Sequence, residues 1–428
     1  RILSWEKGMV FPTGKFSQRS FNFETPSTDL TTSANGLSAL NDAGNYEIYD
    51  YPGEYLEKGN GQNETKLRME AAEVDHIVVG GASSIRSLHV GTTFNLSSHT
   101  VKEEENEEYL LLSVDISVED YTMLNLPGAA QRYSNRFTCI PKSVTYRPPI
   151  TIPKPFMKGP QTAIVTGSQS DNEIYVDEYG RVKVHFHWDR LGQYDSKSSC
   201  WIRVSQNWAG KNWGIVFHPR VGQEVIVDFI EGDPDRPIIT GRVYNAEQPL
   251  PYDCPANKTQ SGIKTRSSKS GGTSNFNEFR FEDKKGEEQV YLHAEKNLDS
   301  VVENCETRQV GVDRTTDIGR DEKLTIGRHR EKTVTENEAN SIGKNRDTSV
   351  GQNDSLQVGS NRSESIGSNL TIDVGSKISL TCGASSLTMS ADGTIELKGV
   401  QIKIEGSATT AVKGGAMLDL KGGVVKIN

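Results

Sequence analysis

The sequence predicts a mainly β protein: two β-rich domains, then an intertwined oligomeric needle. Three observations carry this. Between Val302 and Gly383 the sequence repeats every eight residues. Between residues 161 and 250, short runs alternate apolar with polar residues and are bounded by Gly, Pro and Asp. The composition, 34% hydrophobic with 40 glycines in 428 residues, suits turn-rich β structure and argues against a large helical core.

The repeat is the most ordered feature. Gly311, Gly319, Gly327, Gly343, Gly351, Gly359, Gly367, Gly375 and Gly383 share one register, broken only at Thr335. The residues preceding these positions form a second column: Val310, Ile318, Ile326, Val334, Ile342, Val350, Val358, Ile366 and Val374. Val302 extends it backwards and Cys382 forwards. An eight-residue period fits neither an amphipathic helix nor a heptad coiled coil. β-branched residues favour extended backbone, and Gly marks a bend that other residues resist.

Each octad therefore reads as a short strand and a turn, and one chain cannot hold it. Ordering eight residues costs roughly 8–16 kcal/mol of backbone entropy. Burying one Val or Ile returns about 1.5–3 kcal/mol, and about eight hydrogen bonds at ~1 kcal/mol each bring the sum only near zero. Every backbone group must then be paired and every apolar residue sealed. Identical chains wound about one axis do both and leave no open strand edge. A single-chain solenoid needs rungs of about 20 residues or more. Three copies suit one β-branched column meeting on an axis, although the period alone does not fix the number.

In chain order, residues 1–140 carry short alternating runs, Tyr46–Tyr51, Leu88–Leu96 and Tyr109–Val118, and read as the later part of a β-rich domain. One helix is predicted over Glu64–Val74, with Leu67, Ala71, Val74 and Val78 on one face. The run Glu103–Glu108 reads as a solvated hairpin loop, and the aromatic stretch Tyr49–Tyr55 as loop packing. Residues 141–160 hold Pro141, Pro148, Pro149, Pro153, Pro155 and Pro160, a stiff connector.

Residues 161–250 predict a small barrel of the OB type. Val182, Val184, Phe186 and Trp188 alternate with Arg181, Lys183, His185 and His187, and Val225, Val227 and Phe229 with Glu224, Ile226 and Asp228. Trp208 and Trp213 read as filling a small core and a loop. A stacking platform for nucleic acid would need a basic groove, which is missing. His185 and His187 share a predicted strand face, but no third ligand lies at a telling distance, so no metal is assigned.

Residues 251–301 read as a connector, 302–383 as the octad needle and 384–428 as a prism of longer strands. In the prism Leu387, Met389, Ile395, Leu397, Ile402, Ile404, Leu418, Leu420, Val425 and Ile427 mark strands, and Gly-rich pairs mark turns.

The net charge of −9 is no nucleic-acid footprint. The five cysteines, Cys139, Cys200, Cys254, Cys305 and Cys382, form no CxxC pair, which excludes a disulfide framework or zinc ribbon. Reduced thiols fit assembly in the cytoplasm. No apolar run approaches ~20 residues and no signal peptide is read. The chain opens at Arg1, so an earlier start is expected. There is no GxSxG, HExxH or Walker motif, and no catalytic residue, metal or cofactor is assigned.

The order of parts and several motifs carry a resemblance. The motifs are Phe23-Glu24-Thr25-Pro26-Ser27, Tyr49-Asp50-Tyr51-Pro52-Gly53-Glu54-Tyr55, Asp177-Glu178-Tyr179-Gly180-Arg181-Val182-Lys183-Val184 and Gly232-Asp233-Pro234-Asp235-Arg236-Pro237, together with the octads. The sequence resembles the VgrG family of type VI secretion spikes, which is similar to the hub and needle of contractile phage tails. The resemblance implies a partial phage-hub-like domain, an OB barrel and a triple-stranded β-helix ending in a β-prism.

It further implies a homotrimer that caps a tube of Hcp rings on a baseplate and carries a PAAR-repeat tip and toxic effectors. Such a spike is loaded in the cytoplasm, then injected with transient passage through a target membrane. The expected tip and cargo-docking residues are Ile402, Ile404, Leu418, Leu420, Val424, Val425 and Ile427. A trimeric tail fibre or adhesin is the alternative, and a glycan-cleaving β-helix a more distant one.

Overall fold

The structure, a computed structural model, describes residues 1–36, 43–120 and 131–426. They form two compact units, Arg1–Thr307 and Arg308–Asn428.

The first unit opens with β1 (Ile2–Met9), β2 (Lys15–Gln18), β3 (Thr32–Asn35), β4 (Glu47–Asp50), α1 (Lys58–Glu73), β5 (Ile77–Ser83), β6 (Thr93–Asn95), β7 (Glu108–Glu119) and β8 (Arg132–Pro141). Five of these strands form an antiparallel sheet in the order β1-β5-β8-β7-β6. Its inner face buries Val79, Tyr109, Leu111, Phe137 and Cys139, with Trp5 packed edge-on against Tyr109. Burial in this apolar layer pushes the Cys139 thiol up to about 12, so it acts as a small hydrophobe. The acidic run is not wholly solvated: Glu104 is buried, accepts the Trp5 indole N–H at 2.5 Å and pairs with Lys7 at 3.4 Å.

A smaller sheet, β3-β2-β4, lies beside α1. The helix begins earlier than predicted and buries a different face. Gly61, Thr65, Met69 and Glu73 point inward; of the predicted face, Val74 at the helix end is buried, whereas Leu67 is exposed and Val78 belongs to β5. The reason is a polar cluster. Thr65 donates to the Gly61 carbonyl at 2.7 Å and accepts from Gln18 Nε2 at 2.9 Å, and the Tyr55 hydroxyl donates to the Leu30 carbonyl at 2.6 Å. With every partner supplied, a polar stripe is buried at little cost. Tyr55 thus packs inside, while Tyr49 and Tyr51 stay exposed.

The barrel comprises β9 (Gln161–Thr166), β10 (Lys183–Phe186), β11 (Arg203–Val204), β12 (Trp208–Ala209), β13 (Gly214–Ile215), β14 (Glu224–Phe229) and β15 (Pro237–Val243). Its sheet runs β10-β9-β14-β15-β11, and a bridge between Val182 and Ile202 joins the two ends into a ring. Ala163, Val165, Val182, Val184, Ile202, Val225, Val227, Phe229 and Ile239 fill it, as the alternation predicts. Two readings change. Trp188 lies beyond β10 and is exposed, and Trp208 and Trp213 sit uncovered on the β12–β13 hairpin instead of filling a core.

Residues 251–301, expected as a connector, fold into the three-stranded sheet β16 (Gln260–Lys264), β17 (Glu278–Glu282) and β18 (Gln289–His293). In the second unit, β19 (Lys377–Cys382), β20 (Ser385–Ser390) and β21 (Ile395–Lys398) pair antiparallel within the chain. Residues 308–376 hold neither helix nor strand. They extend with a bend every eight residues, from Gly311–Val312 through Gly375–Ser376, and Thr335 bends like its glycine counterparts.

Candidate functional site: an assembly core and a charged joint

The octad column is neither buried nor free. Val302, Val310, Ile318, Ile326, Val334, Ile342, Val350, Val358, Ile366 and Val374 are each between 44% and 53% exposed, a narrow range for ten side chains in an extended segment. Val312, between two column positions, is 89% exposed. Cys382, the last column residue, lies in β19 opposite Ser385 and is exposed. Among the described residues, 294–376 make no backbone–backbone hydrogen bond. A periodic apolar row beside unpaired backbone has the character of an interface surface.

The glycines of this segment add a second clue. None from Gly311 to Gly375 adopts a positive φ, and a Cβ built on each would meet nothing within 4 Å. The chain's own bend therefore does not require glycine, contrary to the expectation from sequence, and Thr335 makes the same bend with a side chain.

The eight-residue rhythm also outlasts the octads. Bends recur at Val400–Gln401, Ser407–Ala408, Gly415–Ala416 and Gly423; the last three are in register with Gly375, and the first falls one residue late. The expected prism strands at Ile402, Ile404, Leu418, Leu420 and Val425 are extended but unpaired among the described residues. These residues and Val424 are exposed, whereas Ile427 lies outside the described residues.

The four motifs that carry the resemblance meet in pairs within the first unit. Phe23 packs edge-on against Tyr179, ring centroids 5.4 Å apart, and has two guanidiniums over its ring, Arg181 at 5.1 Å and Arg203 at 4.9 Å. Arg181 also pairs with Asp177 at 2.5 Å and Glu24 at 3.5 Å. At a second contact, Arg236 donates to the Gly53 carbonyl at 2.7 Å. Lys154 reaches Asp233 at 2.9 Å, Glu54 at 3.3 Å and Asp235 at 3.7 Å. The proline stretch is bound to both neighbours: Phe156 lies against Gly232, and Arg147 pairs with Glu70 of α1 at 2.6 Å. Gly232, at φ +66, admits the Phe156 ring where a Cβ would collide at 2.2 Å.

Charge follows this geometry. Partial burial raises the carboxyls of Asp177 and Asp233, but their partners outweigh it. Arg181 and two backbone N–H groups hold Asp177 below its ordinary value. Lys154 and the Asp235 N–H do the same for Asp233, whose hydrogen bond in turn raises Lys154. Each motif is legible in the sequence alone, but the contacts that join them across the chain are not.

The two histidines are placed apart. His185 is buried and stacked on Tyr194 at 3.7 Å, while His187 is exposed and bonds Thr162 at 3.0 Å. Among the described residues no group of three or more His, Cys, Asp or Glu is placed to hold a metal. No helix among them is long and apolar enough to cross a membrane.

Comparison with known proteins defines the class. Residues 1–122 match the phage tail baseplate hub family, 162–244 the type VI secretion system/phage-baseplate injector OB domain, and 261–378 the bacteriophage T4 gp5 C-terminal trimerisation domain. In succession these are the parts of a contractile-tail spike. The particular family follows from closer relatives. The chain is 48% identical over 312 residues to the type VI secretion system spike protein VgrG1b of Pseudomonas aeruginosa, covering 73% of this chain and 42% of that protein. It is 37% identical over 294 residues to the actin cross-linking toxin VgrG1 of Vibrio cholerae, covering 68% and 26%.

The chain therefore belongs to the VgrG family of type VI secretion spike proteins, and it spans less than half the length of these two relatives. The solved structure of the E. coli c3393 protein overlaps 44% of each chain at 24% identity and a TM-score of 0.31, too loosely to support an argument.

Proposed function

We propose that this chain forms the shaft of a homotrimeric, membrane-puncturing spike. Three copies meet along the column from Val302 to Cys382. The first domain sits on a tube of Hcp rings at a baseplate. The C-terminal prism, through Ile402, Ile404, Leu418, Leu420, Val424, Val425 and Ile427, holds a PAAR-repeat tip and a toxic effector. The spike is assembled in the cytoplasm and leaves it by injection, and its work is mechanical, with no residue assigned to chemistry. Domain limits at about residues 140, 160, 250, 301 and 383 belong to the same proposal.

One observation supports it most. A row of ten half-exposed β-branched side chains at eight-residue spacing, beside backbone with no partner among the described residues, falls within the segment matched by a trimerisation family. Light scattering after gel filtration tests it. The expected mass is three times 47.2 kDa, and a clean monomer sinks the reading.

A further inference from the structure

We infer that the β12–β13 hairpin of the barrel is a docking surface for a second copy of this chain, which makes the barrels, and not the needle alone, part of the assembly contact. The inference rests on the trimer proposed above.

The hairpin is built to hold apolar side chains outward. Trp208 pairs with Ile215 and Ala209 with Gly214, and the two tryptophans meet edge-to-face at 5.0 Å. Two glycines permit this. A Cβ on Gly210 would strike the Trp213 ring, and one on Gly214, at φ +136, would strike the Trp208 carbonyl. The base is pinned to the barrel. The Phe217 N–H donates to Gln206 Oε1 at 3.0 Å, and Arg242 donates to the Phe217 carbonyl. Yet Trp208, Trp213, Ile215, Val216 and Phe217 all remain exposed. A pre-ordered apolar surface that covers nothing in its own chain has the character of an interface core.

The occupant follows from charge and from continuity. From Gln206 to Phe217 the only charged residue is Lys211, so the phosphate-tracking basic groove of a nucleic-acid platform is missing. Depletion of charge is what the core of a protein–protein contact shows. The segment matched by the trimerisation family begins at residue 261 and is fastened to this barrel. Arg220, three residues past Phe217, donates to the Arg266 carbonyl at 2.9 Å. Glu173 accepts from Ser268 at 2.6 Å, and Lys269 pairs with Asp171 at 3.0 Å. Gathering three copies of that segment would bring three barrels together, each with the base of its hairpin three residues before the Arg220 fastening.

Hydroxyl-radical footprinting of the purified full chain tests the inference, with mass measured in the same preparation. Trp188 is the reference, since it is exposed on the same barrel and has no place in the proposed contact. In a trimer, Trp208 and Trp213 should be oxidised at least about fivefold more slowly than Trp188, as expected for aromatic anchors sealed from water. Equal oxidation in an intact trimer overturns this inference and leaves the trimer standing. A monomer overturns both. Protection that arises only when a separate cargo protein is added assigns the hairpin to cargo and also overturns it. The variant W208A/W213A supplies a second reading. It should stay trimeric through the octads but dissociate in guanidinium at least about tenfold faster, and an unchanged rate counts against the contact.

Discussion

Gly351→Ala separates two explanations of the octads by the sign of its effect. In the chain itself the added methyl meets nothing within 4 Å, and the backbone is not left-handed. If the chain's own geometry were all that mattered, alanine would stabilise by about 0.4–1 kcal/mol through the unfolded state, or about 1–3 kcal/mol for three chains. If glycine is there because a neighbouring copy passes close, the methyl is overpacked at about 1–3 kcal/mol per site, roughly 3–9 kcal/mol per trimer. At the middle of both ranges the net expectation is a loss of about 4 kcal/mol for the trimer, once the unfolded-state gain is subtracted. Guanidinium dissociation followed by light scattering reads it directly as a lower midpoint. A Gly351→Ala trimer as stable as its parent, or more so, would refute the argument that the glycine column is made for contact between copies.

Three further expectations follow. Val350→Asp sets three carboxylates on one axis, where like charge and desolvation oppose ionisation. Trimer yield should fall sharply, whereas Asn353→Asp in the same octad should change little, and equal losses would mean the register is misread. Arg181→Ala strips Asp177, Glu24 and the Phe23 ring of a shared partner and should cost about 1–3 kcal/mol in thermal unfolding of the first unit, with the needle unaffected. The joint should also weaken in acid. Asp177 and Asp233 have folded values below the ordinary 3.8, so their contribution is full above that value and is lost as pH falls through the lowered ones. Proteolysis within residues 141–160 should accelerate below about pH 4, and D177N/D233N should flatten that dependence.

How far the sequence carries this reading depends on whether the informative contacts are local. The octads and the barrel strands were legible because a side-chain period of eight or of two is written along the chain itself, as at Val350–Gly351 or Val225–Val227–Phe229. The joint was not legible. Arg236 and Gly53 lie 183 residues apart, and nothing in either motif says that a guanidinium in one meets a carbonyl in the other. The buried face of α1 was misread for a related reason. Thr65 looks like a surface residue until Gln18 and the Gly61 carbonyl supply its hydrogen bonds.

The C-terminal stretch hid its rhythm differently. Ala391 and Ser407 stand where earlier octads have glycine, and the apolar residues move from just before the bend to three and five positions after its start, as at Leu418 and Leu420 following Gly415. Composition by column changes while the bend persists, so residue types alone no longer mark a repeat that the backbone keeps. That persistence bears on the proposed tip. From Ser407 onward the bends keep the octad spacing, so the inter-chain pairing proposed for the needle would extend to the prism. In the proposed tip, cargo specificity would then rest on exposed side chains such as Ile402, Ile404, Leu418, Leu420, Val424 and Val425, and not on an irregular backbone. Deleting residues 386–428 should then leave a trimer that no longer retains a PAAR protein or an effector in a pull-down, and retention of both would move the docking site to the barrel or to the first domain.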